Sequence, residues 1–245
     1  MKIHHVEQRT PEWFDLRKGI PCTSGFANII TPKGAPTTGE RRRKYLCRLI
    51  AERLLDYAMT DKFETEWTLR GKELEPQAAI AFARKFDCEL ADGAFITNGI
   101  EIEISGTPAY TGDDSVGASP DRIIGGLRAT GRQGLEIKCP APWTQTDYLL
   151  NGPGADYKQQ VQGQLLVGEF DAMHFWAFHP QMPAFHTKTT RDEAYLALLA
   201  RELYYFCAEL DEATERVRRM GTFVPGQAVA EIPGVFPWAD EQTMQ

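Results

Sequence analysis

An aspartate at 121 and a Glu136-Ile137-Lys138 run fifteen residues further on carry the chemistry of a hard-cation site in this 245-residue chain. Mg²⁺ takes one or two carboxylates and backbone oxygens, keeps several waters and leaves positions for phosphate oxygens. Asp121, Glu136 and the Ile137 backbone carbonyl are therefore candidate metal ligands. Lys138 has a different job: it can hold the attacking water, or deprotonate it if burial and a nearby ion lower its pKa.

A hairpin would bring these groups together. Gly125-Gly126 and the Gly131–Gly134 stretch punctuate two short apolar runs, which predicts strands near 121–125 and 134–139. Folding about residue 129 puts Asp121 within about one position of residue 137. The two-residue period of a strand points Glu136 and Lys138 at one face. By pattern alone the same residues also fit an ordinary hairpin with solvated charges, since Asp and Glu-x-Lys combinations recur by chance.

The Pro120-Asp121 pair followed by Glu136-Ile137-Lys138 resembles the PD-(D/E)xK nuclease signature. More narrowly, Gly117-Ala118-Ser119-Pro120-Asp121 and Leu135-Glu136-Ile137-Lys138-Cys139-Pro140 resemble the phage lambda exonuclease (YqaJ viral recombinase) family. The resemblance spans about Arg9 to Met220. It implies an α/β fold with a PD-(D/E)xK-like core, a mixed central β-sheet flanked by helices. It also implies 5′-to-3′ digestion of one strand of linear duplex DNA from a 5′-phosphorylated end to mononucleotides, with two Mg²⁺ ions, replaceable by Mn²⁺. A homotrimeric ring and a single-strand-annealing recombinase partner belong to the same implication.

Other stretches bear on this. Thr10-Pro11 predicts a helix start, with Thr10 as cap and proline at the first position, and Gly19 a stop. Thr23-Ser24 is a second candidate cap, so a helix N-terminus and a hydroxyl follow Arg17 by seven residues, an arrangement suited to phosphate. A surface arginine and a plain cap fit these residues as well. In the resembling family Leu16-Arg17-x-Gly19-Ile20 with Ser24 matches residues that hold the 5′-phosphate; Cys22 stands where that family often has a hydroxyl. Gly71 to Glu75 likewise matches a Gly-x-x-x-Glu pattern whose glutamate faces the metal, which implicates Glu75 rather than Glu73. Gln160, on a helix expected around Tyr157–Leu165, matches a glutamine that supports the lysine.

Net charge is −7, the wrong sign for indiscriminate coating of nucleic acid, so DNA contacts must be local. The candidate patch starts at Arg41, Arg42, Arg43 and Lys44 and continues to Arg48 and Arg53, on an amphipathic helix; an exposed, solvated helix face is the alternative. Five cysteines lie singly, without the spacing of a zinc, iron–sulfur or disulfide framework, and read as reduced core thiols. His174, His179 and His186 lack metal-ligand spacing and read as structural. No apolar run approaches a membrane span and the N-terminus lacks a signal-peptide core, so a cytoplasmic protein of one nuclease domain, 1–245, is expected.

The remaining pattern predicts a helix whose first position is Pro76, and strand from Ala94 to Ile104 with a turn at Asn98-Gly99. It continues with a polar loop over Thr107–Ser115, a loop carrying Trp143, strands at 172–178 and 185–189, and a long helix from Asp192 to Met220. Val161 and Leu165 are expected to face inward, with the glutamines of their helix on a polar face. The residues after Gly221 read as loop. Two other functions are compatible with the sequence: a site-specific or structure-specific endonuclease on the same core, and a catalytically silent DNA-binding module, against which the intact Asp121, Glu136 and Lys138 argue.

Overall fold

Short runs rich in Ile, Phe, Trp and Thr pair into a five-stranded mixed sheet with the order β10-β9-β8-β7-β2, seen in a computed structural model that describes residues 1–59, 66–125 and 131–221. The strands are β2 (Leu90–Asp92), β7 (Arg122–Ile124), β8 (Gln133–Lys138), β9 (Ala172–Ala177) and β10 (Phe185–Thr190). Only β8 and β9 run parallel. Parallel neighbours need a crossover connection, and the chain supplies one with α4 (Pro142–Asn151), a 3₁₀ turn and α5 (Lys158–Val167). That crossover is what lays α5 back over β8.

A second, antiparallel sheet has the order β1-β3-β6, from β1 (Lys2–His4), β3 (Phe95–Asn98) and β6 (Val116–Ala118). A separate hairpin joins β4 (Glu101–Ile104) to β5 (Thr107–Tyr110). Its two turn residues, Ser105 and Gly106, both have positive φ, 51° and 80°, the geometry of a tight hairpin turn. The expected polar loop after 107 is therefore a strand for its first four residues. The break at Asn98-Gly99 ends β3 without making a hairpin, because β3 and β4 belong to different sheets.

Helix α1 (Pro11–Arg17) begins as expected, with the Thr10 hydroxyl accepting from the Trp13 amide at 3.3 Å. Helix α2 (Glu40–Leu55) buries Leu46, Leu49 and Ile50 against the main core. The helix expected to start at Pro76 starts instead at Glu66: α3 runs Glu66–Phe86 with Pro76, which has no backbone N–H to give the helix ladder, in its interior. The loop expected around Trp143 is α4, with Pro142 in the first turn. The long C-terminal helix is α6 (Glu193–Arg219), capped by Asp192 accepting from the Tyr195 amide.

The main core packs α2, α5 and α6 against the small sheet through Phe26, Leu165, Leu199, Leu203 and Phe206. A second cluster holds α3 on the central sheet: Ala78, Ala79 and Phe82 against Leu135, Ile137 and Trp176. Truncating a fully buried Phe82 to alanine would cost about 3–5 kcal/mol. Because Leu135 and Ile137 face α3, the alternation of β8 turns Glu136 and Lys138 to the opposite face, toward α5.

Cys22 and Cys207 are buried, as expected of core thiols, but Cys47 is exposed on α2. The turn of the expected 121–139 hairpin, including residue 129, and the tail after Gly221 lie outside the described residues. Among the described residues no helix is long and apolar enough to cross a membrane.

Candidate active site

Antiparallel pairing of Arg122 with Leu135 sets the register of β7 and β8 and extends one residue further, where the Asp121 amide donates to the Leu135 carbonyl at 3.0 Å. Asp121 thus lies beside Glu136. Its carboxylate Oδ2 accepts from the Ile137 amide at 2.7 Å. In a strand the N–H and C=O of one residue lie along the same edge, so the Ile137 carbonyl faces the Asp121 side as well. Gly93 makes the approach possible: a Cβ there would collide with the backbone carbonyls of Pro120 and Asp121.

Glu136 is only 3% exposed, and α5 satisfies it. Gln160 Nε2 donates to Oε1 at 2.7 Å, Gln164 Nε2 donates to Oε2 at 2.8 Å, and Lys138 Nζ donates to Oε1 at 2.5 Å. Gln160 meets the same Glu136 oxygen as Lys138 rather than the lysine itself. Gln164 is the residue that sequence reading passed over, although it shares the Gln160 face one turn on. The expectation of one polar face on α5 needs correcting too. Gln159 and Gln162 are also buried, donating to the carbonyls of Ile30 and Thr190, because α5 is wedged between the central sheet and the main core.

Glu75 projects from α3 toward the same place, but its oxygens are held by two arginines: Arg122 Nη1 at 3.2 Å and Arg9 Nη2 at 2.9 Å. It borders two cavities. One, of about 490 Å³, is lined by Ile137, Lys138, Lys72 and Arg9. The other, of about 420 Å³, is lined by Asp121 and Arg122. Neither arginine was singled out in the sequence, where nothing distinguishes them from surface charge.

Burial, reinforced by the Glu136 charge, pushes the Asp121 carboxyl well above the usual carboxylate range, against the opposing pull of Lys138 and the Ile137 amide. Burial alone would lower the Lys138 ammonium; the Glu136 and Asp121 carboxylates outweigh it and hold Lys138 above its ordinary value. Two adjacent carboxylates, Glu136 buried and Asp121 partly so, with a backbone carbonyl alongside form a donor set that fits a hard divalent cation, whose charge would relieve their repulsion. Among the described residues no group of three or more His, Cys, Asp or Glu side chains converges as a metal cage, so the fit rests on two carboxylates and the backbone. A cation there would also draw off the field that keeps Lys138 protonated.

Arg17 and Ser24 do meet, with Arg17 Nη2 donating to Ser24 Oγ at 3.3 Å and the guanidinium lying 4.1 Å over the Trp13 ring. The stretch that holds Ser24 is a single 3₁₀ segment, Thr23–Asn28, in which neither Thr23 nor Ser24 caps; Cys22 holds that position without a side-chain capping bond. The expectation of a capped helix N-terminus there is therefore wrong. What the structure offers instead is a cavity of about 480 Å³ whose lining includes Arg9, Arg17, Ser24, Arg48 and Lys72. Its floor is fixed by buried Glu52, which accepts from the Gly19 amide at 2.8 Å and the Met59 amide at 2.9 Å.

The basic run on α2 divides. Arg41 Nε donates to Asn28 Oδ1 at 2.9 Å, and Asn28 borders the Arg17 cavity. Arg42 is drawn instead to Glu209 of α6 at 2.6 Å and over the Phe206 ring. Lys44 pairs with Glu40 one turn away at 2.9 Å, and Arg43 is exposed. His174 and His186 bond ring to ring at 2.9 Å, with Gln133 on the other nitrogen of His174, and His179 meets Arg70 at 3.0 Å, consistent with structural roles.

Residues 12–171 match the family model described as the YqaJ-like viral recombinase domain. Among solved structures, the alkaline exonuclease LHK-Exo from Laribacter hongkongensis aligns with a TM-score of 0.70 at 27% identity, over 86% of this chain and 97% of its own. Its crystal structure in complex with dAMP gives 0.69 at the same identity and coverage. A phage-related exonuclease from Haemophilus somnus 129PT, 15% identical over 82% of this chain and 96% of its own with a TM-score of 0.54, shares the fold. Comparison with curated proteins gives no match. The mixed sheet flanked by helices is the PD-(D/E)xK-type α/β fold of these exonucleases. With well over half of its length covered by one family model, the chain belongs to the YqaJ-like viral recombinase family.

Proposed function

We propose that this chain, a metal-dependent DNA exonuclease, digests one strand of linear duplex DNA from a 5′-phosphorylated end to mononucleotides, in one nuclease domain and with Mg²⁺ as the metal. The observation that carries this reading is the adjacency of two cavities. Arg9 and Lys72 border both the cavity of Lys138 and the cavity of Arg17 and Ser24, so a pocket whose lining is rich in basic side chains opens next to Lys138. A terminal phosphate seated on Arg17 would hold the adjoining phosphodiester near Lys138.

Asp121, Glu136 and the Ile137 carbonyl would hold the metal. When bound it neutralises phosphate charge and lowers the pKa of the attacking water. Gln160 and Gln164 keep the Glu136 carboxylate in one orientation. Lys138 positions the attacking water; with the carboxylate field on it relieved and its own proton released to solvent, it would accept the proton of that water. Glu75, clamped by Arg9 and Arg122, keeps two guanidiniums at the phosphate side of the site. Arg41, at the rim of the Arg17 cavity, and exposed Arg43 and Lys44 would follow the DNA backbone; Arg42 is committed to Glu209.

Three associations belong to the proposal on the strength of the resemblance: a homotrimeric ring, a single-strand-annealing recombinase partner, and action in a bacterial or phage-infected cytoplasm. The net charge of −7 supports a ring, because an encircling assembly can turn its basic groups to the channel and its acidic surplus outward. Incubation with end-labelled linear and closed circular duplexes, in Mg²⁺ or chelator, tests the activity. Release of labelled mononucleotide from the linear duplex alone, in Mg²⁺ alone, is expected. Cutting of the circle would indicate an endonuclease, and binding without cutting a silent module.

A further inference from the structure

The cavity that holds Lys138 has an aromatic wall that the chemistry of the carboxylates does not require. Trp67, in the first turn of α3, and Trp143, in the first turn of α4, both line it. Their rings meet edge to face, with centroids 5.0 Å apart and planes at 78°. Trp143 remains 64% exposed and Trp67 38%, unusual for a residue whose burial contributes so much to stability. Arg70 lies 5.6 Å from the Trp67 ring and is itself held by His179. Trp143 is thus an exposed ring supported edge-on by Trp67, bordering the same space as Lys138.

A base has a π-face and stacks on such a ring regardless of its identity, which suits an enzyme that must process every sequence. The volume, about 490 Å³, lies in the range of roughly 300–1,000 Å³ typical of small-molecule sites. Lys72 and Arg9, which line the same cavity, supply positive charge for the attached phosphates. We propose that Trp143, braced edge-on by Trp67, is the stacking seat for one base of the strand being digested, and so fixes the sugar-phosphate step presented to Lys138. Trp143 is a positioning residue in this account, and the assignment rests on the nuclease reading above.

The test places a single abasic nucleotide in turn at each of the first few positions from the 5′ end and measures single-turnover cleavage by the parent, Trp143→Ala and Trp143→Phe. One abasic position should slow the parent about tenfold, the size expected of one base on one aromatic ring. Trp143→Ala should be slowed about as much on intact DNA and be indifferent to the abasic position, while Trp143→Phe recovers most of the rate. Effects of variant and abasic site that multiply, or a parent indifferent to every abasic position, would overturn the proposal. So would a Trp143→Ala protein whose only change is a smaller native mass, since that would make this face a contact between chains. A 2-aminopurine base at the sensitive position, read in chelator, separates this proposal from the nuclease reading. Quenching by the parent and not by Trp143→Ala, without cleavage in any metal, would leave the seat standing and remove the nuclease; cleavage without quenching would do the reverse.

Discussion

Gln164, wholly buried in α5, donates to Glu136 Oε2 at 2.8 Å, so one helix fixes both oxygens of the carboxylate two residues before Lys138. Replacing Gln164 by leucine keeps the bulk and leaves a buried carboxylate oxygen without a partner. Denaturant unfolding should show a loss of about 1–3 kcal/mol, with a slower cleavage rate. Gln160→Ala, at the half-buried position, should slow cleavage with a smaller loss of stability. Parental stability and rate in Gln164→Leu would mean that α5 does not orient Glu136.

Asp121 and Glu136 share a buried site, and the first has its carboxyl held well above the ordinary range by burial and by its neighbour. A raised folded pKa means that the stability Asp121 contributes is full below its ordinary value of 3.8 and is lost as pH rises toward about 8. Asp121→Asn keeps an acceptor for the Ile137 amide and removes that loss. In chelator at pH 8 the variant should melt at or above the parental temperature. Mg²⁺ should raise the melting temperature of the parent and not of the variant, because only a bound ion stabilises the folded form. Equal Mg²⁺ shifts in both would remove Asp121 from the metal site.

Arg17, stacked on Trp13 and bonded to Ser24, lines a cavity that adjoins the one lined by Lys138. Loss of a charge-assisted phosphate contact costs about 1–3 kcal/mol. The parent should therefore prefer 5′-phosphorylated to 5′-hydroxyl duplex ends, and Arg17→Ala should erase that preference by slowing only the phosphorylated substrate. The comparison needs one salt concentration, since backbone attraction falls steeply with salt. Equal slowing of both substrates would make Arg17 a general backbone contact.

What could be read from the sequence was local. The register that brings Asp121 to Glu136 follows from two short strands and a period of two, and α1, α2 and α6 follow from caps and apolar spacing. Pro76 misled, because proline marks a helix start by propensity, whereas here the packing of Ala78, Ala79 and Phe82 on the sheet carries the helix straight through it. Ser24 reads as a cap but accepts from Arg17, inside a short 3₁₀ segment whose cap position falls on Cys22. Gln164 was hidden because glutamine is ordinarily a surface residue. Only the crossover that lays α5 between sheet and core turns its polar face inward. The brace of Arg9 and Arg122 on Glu75 joins residues 66 and 47 positions apart, a pairing that no local pattern encodes.

His174 is buried against His186 and Lys188, and burial first, then those charges, pushes its pKa down to about 4 from 6.5. The unfolded chain takes up a proton that the folded one refuses. Its contribution to stability is therefore full above pH 6.5 and is lost as pH falls toward 4. On acidification from pH 7 to 4.5 the parent should lose melting temperature relative to His174→Gln, which cannot titrate; Asp121 acts in the opposite direction, and equally, in both proteins. Parallel profiles for the two proteins would show that His174 is not the group responsible.

The most direct test is single-turnover release of mononucleotide from a 5′-phosphorylated, end-labelled linear duplex by the parent, Glu136→Gln and Lys138→Ala, each in Mg²⁺ and in chelator. The parent should cleave in Mg²⁺ only, and Glu136→Gln in neither. Lys138→Ala should keep its Mg²⁺ requirement and lose roughly 10²-fold or more in rate, as expected for a lost general base or positioned charge. Folded variants that cleave at the parental rate, or a parent that cleaves equally well in chelator, would contradict the account.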